Sequence, residues 1–159
     1  MSTVLQIYEA IDRLAPFFLS MDFDNTGILV GDRQKKVERA LLALDCTKEV
    51  LRQAKELGAQ LIITHHPIIF HPIKRVNEDS LVYHLLRSDI AVISAHTNLD
   101  IAQGGVNDLL AKRIGLSDCR GLQPMDAQGT FFLGRVGSLP EGMEPQQFAQ
   151  YLKQRLGAP

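Results

Sequence analysis

Residues 61–67, Leu61-Ile62-Ile63-Thr64-His65-His66-Pro67, are the most informative segment of the sequence. Its apolar and β-branched residues predict a buried β-strand, and two adjacent histidines follow where that strand should end. Because ligands of open α/β sheets gather beyond the carboxyl ends of the strands, both histidines are candidate functional residues. A regular strand would point them to opposite faces, but a strand end relaxes that constraint, and Pro67 favours an extended His66.

A second apolar run repeats this arrangement. The run Ile90-Ala91-Val92-Ile93-Ser94 predicts another strand and is followed by His96 and, four residues later, by Asp100. Two neighbouring strands would then bring three histidines and one aspartate to one edge of a sheet. Imidazole and carboxylate are ligands of hydrolytic divalent metals, so the pattern predicts a metal site. The alternative for Asp100 is a loop residue that makes a turn or caps the helix beginning at Val106.

The flanking segments predict an α/β fold, a three-layer sandwich with a mostly parallel sheet and helices on both faces. Residues 41–64 form a strand–helix–strand unit, which normally has parallel strands. Residues 1–159 are expected to form a single α/β domain. A buried strand is predicted at 41–44, an edge strand near 28–30, a β-rich stretch at 129–136, and helices at 4–14, 48–57, 81–87, 106–114 and 145–156.

Bulk properties exclude several classes of protein. The net charge of −1 does not provide the basic surface of a dedicated nucleic-acid binder. The longest apolar runs have strand length, and the amino terminus lacks a basic region followed by an apolar block. Neither a transmembrane helix nor a secretory signal is therefore expected. Cys46 and Cys119 lack Cys-x-x-Cys spacing, so they predict no zinc ribbon and no disulfide framework, which fits a cytoplasmic protein.

Several polar residues have two interpretations. Asp24-Asn25-Thr26-Gly27 is typical of a tight turn, and its functional alternative is a polar wall beside the metal site. Cys46 follows a strand and could line the same sheet edge, but packing is the commoner role of an unpaired cysteine. His71 lies in a Pro-containing loop and His84 lies within a predicted helix, so both are expected to be structural or solvent-facing.

Three segments, in this order, resemble the signatures of one known family. They are residues 24–31 (Asp-Asn-Thr-Gly-Ile-Leu-Val-Gly), 62–70 (Ile-Ile-Thr-His-His-Pro-Ile-Ile-Phe) and 96–100 (His-Thr-Asn-Leu-Asp). The family is that of the dinuclear metal-centre hexameric proteins, Nif3-like proteins commonly named GTP cyclohydrolase I type 2 or its homologues. The resemblance runs through the whole chain and includes residues 105–111.

The resemblance implies a dinuclear centre with two divalent metal ions, which the residues leave open as zinc, manganese, iron, cobalt or nickel. His65 would be a ligand of one ion, and His66 and Asp100 would be ligands of the other. His96 would line the site without being an assured ligand, and we single it out as a candidate catalytic residue. It could hydrogen-bond the substrate or shuttle a proton near neutral pH.

The resemblance also implies an assembly and a size. Six chains would form a homohexameric ring, and each complete chain would pair two similar α/β halves around the metals. Family members carry a further histidine and glutamate towards the carboxyl end, and residues 1–159 contain no counterpart of them. We therefore expect this chain to correspond to the amino-terminal half of the family fold, with the second half-domain absent.

The function implied by the resemblance is that of a divalent-metal-binding hydrolase. In the complete protein, the metals would promote hydrolysis of a small-molecule substrate, either ring opening of GTP or cleavage of a phosphoester. The alternative is a metal-binding interaction or regulatory scaffold without catalysis. Neither function involves a membrane or a nucleic acid.

Overall fold

The computed structural model describes residues 1–139 and 142–157. Contacts divide the chain into two compact units, Met1–Leu99 and Asp100–Pro159. Within the described ranges, no helix is long and apolar enough to cross a membrane. That residues 1–159 form one domain, equivalent to the first half of a longer fold, stays a prediction.

In the first unit, short strands alternate with helices. A turn of 3-10 helix at Phe17–Leu19 follows the first helix, and the short helix α4 (Thr97–Ile101) begins in this unit and ends in the next. The other elements are β1 (Ser2–Thr3), α1 (Val4–Leu14), β2 (Gly27–Val30), β3 (Lys36–Val37), β4 (Ala40–Ala43), α2 (Lys48–Glu56), β5 (Leu61–Thr64), α3 (Leu81–Arg87) and β6 (Ala91–Ser94).

Four of these strands form one mixed sheet in the spatial order β2-β6-β5-β4. β5 pairs in parallel with both β4 and β6, so the predicted parallel strand–helix–strand unit is confirmed. β2 lies at one edge of the sheet, as predicted, and runs antiparallel to β6. Gly27 pairs with Ser94, so the start of β2 lies beside the carboxyl end of β6.

Successive side chains of a strand point to opposite faces of the sheet, so the apolar central strands present apolar side chains on both faces. Helices cover both of these faces. On one face, Ile62 of β5 packs with Leu51 of α2 and Leu85 of α3. On the other face, Leu61 of β5 packs with Val4 of α1. Each such buried side chain contributes about 1.5–3 kcal/mol, so the central strands hold a fixed position between the helices. The predicted three-layer α/β fold is confirmed.

The helices begin where side chains cap them. Thr3 and Gln6 form a capping box at the start of α1, in which each side chain accepts a hydrogen bond from the other residue's backbone N–H. The Thr47 hydroxyl accepts from Val50 N at the start of α2, as predicted. These caps fix the helix ends and therefore the lengths of the connections that lead into the sheet.

The prediction that residues 41–44 form a buried strand was wrong about the burial. β4 lies at the edge of the sheet and has β5 as its one neighbour there. Leu41 packs against the core, but Leu42 is 74% exposed and Leu44 is 60% exposed. An apolar run does not distinguish an edge strand with one covered face from a central strand with two.

The second unit contains two helices and a β-hairpin. They are α5 (Val106–Ile114), β7 (Ser117–Pro124), β8 (Phe132–Ser138) and α6 (Pro145–Leu156). α5 ends at Gly115, whose positive φ of 87° is the left-handed conformation expected of a helix-closing glycine. The Tyr151 hydroxyl of α6 donates to Ile114 O at 2.5 Å, which ties the last helix to the end of α5. β7 was not predicted.

Candidate metal centre

Three histidines lie together at the carboxyl ends of β5 and β6. His65 and His66 follow β5 directly, and His96 follows β6 after Ala95. One potential ligand atom from each of the three lies within 4.8 Å of the others. The ring centroids are separated by 5.1 Å for His65 and His66, 5.0 Å for His65 and His96, and 5.6 Å for His66 and His96. Among the described residues, this cluster has the spacing to hold a metal ion.

The strand order brings two carboxylates to the same edge of the sheet. Asp45 follows β4, whereas Asp24 precedes β2, which runs in the opposite direction to its neighbour β6. The spatial order of the strands therefore becomes the order Asp24, His96, the adjacent pair His65 and His66, and Asp45. As a result, Asp24 lies beside His96, and Asp45 lies beside His66.

Asp24 lies on the buried side of the histidine cluster, next to His96. Its side chain is fully buried and accepts four hydrogen bonds. Oδ1 accepts from His96 Nδ1 at 2.9 Å and from Asn25 N at 2.8 Å. Oδ2 accepts from Thr97 N at 3.1 Å and from the Thr97 hydroxyl at 2.5 Å. The Thr97 hydroxyl in turn accepts from Met21 N at 3.0 Å, so the segment before β2 is fastened to the segment after β6.

These contacts determine the ionisation of Asp24. Burial acts to raise its pKa, but the hydrogen bonds from Thr97, His96 and Asn25 outweigh burial, and the pKa lies below its usual value. The carboxyl group is therefore ionised at neutral pH and can only accept hydrogen bonds. His96 must donate to it through Nδ1–H.

The other two histidines are also held through Nδ1. His66 Nδ1 lies 2.8 Å from Asp45 Oδ1 in an exposed pair, with side chains 46% and 54% exposed. His65 Nδ1 lies 3.0 Å from the Ala95 carbonyl oxygen, which can only accept a hydrogen bond. In a neutral imidazole that donates from Nδ1, the lone pair lies on Nε2. Metal-binding histidines usually have this second contact, which orients the ring.

The predicted ligand Asp100 lies in α4 and is the first residue of the second unit. Its alternative role as a cap of α5 is excluded, because the N-cap residue of that helix is Gly105 and no side chain caps it. Asp108 instead accepts a hydrogen bond from Gly104 N at 2.6 Å. The assignment of Asp100 as a metal ligand stays a prediction.

The remaining candidates lie outside the histidine cluster. His71 is exposed and its ring contacts Phe70, and His84 lies on α3 beside Tyr83. Cys46 packs against the hydrophobic core, and its burial raises the pKa of the thiol to about 11. The thiol therefore stays protonated near neutral pH, and the packing interpretation of Cys46 is confirmed.

Sequence reasoning did not identify the contacts of Asp24 and Asp45 with the histidines. Asp45 has the same signal as the histidines, a polar residue directly after a predicted strand. Asp24 had no such signal, since it precedes its strand and reaches the site only because β2 is antiparallel. The alternative of a polar wall beside the histidines describes its position better than a simple turn does.

Comparison with known proteins identifies relatives of similar sequence. Residues 2–159 match the family described as Duf34/NIF3 (NGG1p interacting factor 3). A Clostridium perfringens protein named GTP cyclohydrolase 1 type 2 homolog is 40% identical, with 95% of this chain and 59% of the relative covered. A Halalkalibacterium halodurans protein of the same name is 41% identical, with 82% and 36% covered.

Solved structures show the same fold. Staphylococcus aureus hypothetical protein SA1388 superposes with a TM-score of 0.88 at 27% identity, over 98% of this chain and 64% of the other. A Bacillus cereus protein related to NIF3 gives a TM-score of 0.74 at 40% identity, over 78% and 36%. The chain thus spans less than two thirds of the length of these relatives. Because the family match extends over nearly all of its residues, the chain belongs to the Duf34/NIF3 family.

Proposed function

We propose that the protein binds divalent metal ions and, in its complete form, uses them to hydrolyse a small-molecule substrate. The observation that carries this proposal is the cluster of His65, His66 and His96, whose potential ligand atoms lie within 4.8 Å of one another. The Nδ1 atom of each of these rings contacts an oxygen acceptor, which orients the ring. Neutral imidazoles oriented in this way are typical ligands of zinc and other first-row divalent ions.

Some residues of this chain would bind the metal ions, and others would orient the histidine ligands. A divalent ion held here would supply Lewis acidity, which activates water near neutral pH and polarises a carbonyl or phosphoryl oxygen. His65 and His66 would hold ions directly, and Asp100 would join the ion held by His66. Asp24 and Asp45 would keep the imidazoles in the ligating tautomer. In the complete protein we expect a second ion close to the first, which makes the centre dinuclear.

The substrate class follows from the relatives. Those that match over most of this chain carry the name GTP cyclohydrolase 1 type 2 homolog, which supports hydrolytic ring opening of GTP. A phosphoester is the other substrate that such a centre would accept. We also propose a cytoplasmic protein that assembles with copies of itself, with six chains forming a ring.

A second candidate is a metal-binding scaffold that acts through protein partners. The family description, NGG1p interacting factor 3, supports this alternative, because it names an interaction and not a reaction. Metal would then be structural or regulatory. Partner binding that survives replacement of the histidines would favour the scaffold over the hydrolase.

Two measurements test this proposal, the metal content of the purified protein and the rate of hydrolysis by the full-length form. We expect the purified protein to retain divalent metal, and the full-length form to hydrolyse GTP or a chromogenic phosphodiester until a chelator is added. His65→Ala should abolish both metal retention and turnover, while the matched control His84→Ala, outside the cluster, should retain both. Turnover that persists in chelator or in His65→Ala would contradict the hydrolase proposal, and a protein without affinity for any divalent ion would contradict metal binding itself.

A further inference from the structure

We propose that Phe70 and Phe23 form a recognition surface for a planar aromatic ring of the substrate, beside the histidine cluster. This inference rests on the proposed hydrolase function and deepens it, because a purine nucleotide such as GTP has a planar ring, whereas a phosphoester that lacks a base offers no ring to hold. Neither phenylalanine binds metal or touches the reacting atoms. Both select the substrate by holding its ring next to the metal centre.

The first argument is position. The ring centroids of Phe70 and His96 lie 6.5 Å apart, with the ring planes inclined by 83°. The centroids of Phe23 and Phe70 are likewise 6.5 Å apart, with the planes inclined by 56°. Both separations lie within the range of contacting aromatic groups. A small molecule whose ring rests on either phenylalanine can therefore also reach a metal ion held by the histidines.

The second argument is exposure. Phe70 is 40% exposed and Phe23 is 64% exposed, although aromatic side chains usually bury large apolar areas. Single exposed apolar residues are ordinary, but these two rings contact each other and lie beside a polar cluster. Small-molecule sites combine apolar and aromatic walls with a few polar groups in this way. A ring bound there would remove apolar surface of both phenylalanines from water.

The third argument is that the segment before Phe70 is held in place. Asn25 Nδ2 donates to Ile69 O at 2.6 Å, and the side chains of Ile68 and Ile69 pack against the hydrophobic core. The residue before Phe70 is therefore fastened through both its backbone and its side chain. A surface that is already ordered loses little conformational entropy when a ligand binds.

The turn that carries Phe23 is held in place as well. Asp24 N donates to Met21 O at 2.9 Å, and Met21 N donates to the Thr97 hydroxyl at 3.0 Å. Asp24 is also the buried carboxylate that accepts a hydrogen bond from His96. The contacts that orient His96 thus also fix the turn that carries Phe23, so the recognition surface and the histidine cluster share their supporting contacts.

The inclination of the two phenyl rings indicates how a ligand ring would bind. At 56° to each other, the two planes cannot both lie parallel to one flat ring. One phenylalanine therefore stacks on the face of the ligand ring and the other contacts its edge, and both arrangements are favoured between aromatic groups. A nucleobase suits such a surface, because every base has a π-face and stacking tolerates differences in the hydrogen-bonding groups.

GMP and its base-free counterpart, ribose 5-phosphate, are the probes, because any contact of the sugar or the phosphate is common to both. In NMR titrations the chain should bind GMP about tenfold or more tightly than the base-free sugar phosphate. Phe70→Leu and Phe23→Leu should each weaken GMP binding by roughly 5–100-fold, the range expected for loss of one base–aromatic contact. Neither variant should change the binding of the base-free probe.

Two further variants are controls. Phe70→Tyr retains an aromatic face and should bind GMP as the parent does. Tyr83→Leu removes an aromatic ring from α3, where Tyr83 contacts His84, and should also bind both probes as the parent does. A loss of GMP binding in Tyr83→Leu equal to that in Phe70→Leu would overturn the inference, because the loss would then not depend on the recognition surface.

A measurement on the parent alone covers the case in which the leucine variants fail to fold. Intermolecular nuclear Overhauser effects should join the base protons of GMP to the ring protons of Phe70 and Phe23. GMP that binds no more tightly than the base-free probe would overturn the inference. That result is expected if another protein surface, such as a second copy of the chain, covers the two rings.

Kinetics of the full-length form separate this inference from the proposed function. Phe70→Leu and Phe23→Leu should raise the KM for GTP by roughly 5–100-fold with little change in kcat, because the lost contact is the same in the ground state and the transition state. GTP turnover with an unchanged KM in both variants would overturn the inference while the hydrolase proposal stands. The GMP measurements need no turnover, so base-dependent binding that both variants lose would support the recognition surface even if the hydrolase proposal failed.

Discussion

Two carboxylate–imidazole pairs belong to the same histidine cluster. In both pairs a carboxylate contacts a histidine Nδ1, but the pairs differ in burial and in the number of further hydrogen bonds. The Asp24–His96 pair has a fully buried carboxylate and a ring that is 20% exposed, while the Asp45–His66 pair is about half exposed on both sides. Asp24 accepts three further hydrogen bonds, from Asn25 N, Thr97 N and the Thr97 hydroxyl. The same pairing of groups therefore fastens two chain segments in one case and orients a surface ring in the other.

The contribution of a carboxylate–imidazole pair to the free energy of unfolding therefore depends on its surroundings. An exposed pair is screened by water and contributes little to the free energy of unfolding. A buried carboxylate leaves several donors without a partner when it is removed, and each buried donor without a partner costs about 1–3 kcal/mol. We expect the two pairs to share a role in metal binding and to differ in their effect on stability.

The largest expected effect is that of Asp24→Ala. This change removes four hydrogen bonds at once and leaves partly buried donors of Asn25, His96 and Thr97 without their acceptor, so the free energy of unfolding should fall by about 2–4 kcal/mol. Urea denaturation followed by circular dichroism would measure it. A loss below about 1 kcal/mol would remove the distinction between the two pairs.

A second prediction concerns Cys46, the residue after Asp45. Its thiol pKa of about 11, raised by burial, means that roughly one thiol in a thousand is ionised at pH 8. Alkylation of Cys46 should therefore be at least tenfold slower than that of the exposed Cys119, and its rate should rise about tenfold per pH unit up to about pH 11. Mass spectrometry after timed labelling would measure both rates. Equal rates would contradict this prediction, because they would mean that the Cys46 thiol is as accessible to the reagent as the Cys119 thiol.

Thr97→Val should have an intermediate effect. Valine retains the shape of the side chain but removes the hydroxyl that donates to Asp24 and accepts from Met21 N. We expect the free energy of unfolding to fall by about 1–2 kcal/mol, less than in Asp24→Ala because the backbone donor of Thr97 is unaffected. If this variant were as unstable as Asp24→Ala, the Thr97 hydroxyl and not the carboxylate would be the main contact between the segments.

The smallest effect on stability is expected for Asp45→Ala. Its carboxylate is 54% exposed, so the free energy of unfolding should change by about 0.5 kcal/mol or less. Metal affinity should nevertheless decrease, because His66 loses the acceptor that orients its ring. Parallel denaturation and zinc-competition measurements would test this separation of effects. A large loss of stability, or an unchanged affinity, would count against it.

The sequence predicted the parts of the molecule that depend on local pattern. Apolar runs followed by histidines located the ends of β5 and β6, and Thr47 and Gly115 located helix ends, because capping is decided by a few neighbouring residues. β7 was missed since Ser117-Asp118-Cys119-Arg120-Gly121-Leu122-Gln123-Pro124 has neither apolar alternation nor β-branched residues. Its structure comes from pairing with β8.

The parts of the site that depend on strand order could not be predicted. Which carboxylate meets which histidine follows from the order β2-β6-β5-β4 and from the direction of β2, and no single segment encodes either. The exposure of Leu42 has the same cause, since only the order makes β4 an edge strand. The histidines were predictable as candidates, and Asp45 had the same signal, but the pairing of Asp45 with His66 and of Asp24 with His96 was not predictable.

The assembly of one sheet edge from four separate chain segments has a consequence for how folding would respond to metal supply. In the unfolded chain, Asp24, Asp45, the pair His65 and His66, and His96 are far apart, so the histidine cluster and its carboxylates come together only in the native state. An ion that binds only there raises the apparent stability with the logarithm of its concentration, by about 2.7 kcal/mol at one hundred times its dissociation constant. The midpoint temperature of melting would then measure free metal, and a chelator would act on the first unit as a mild denaturant.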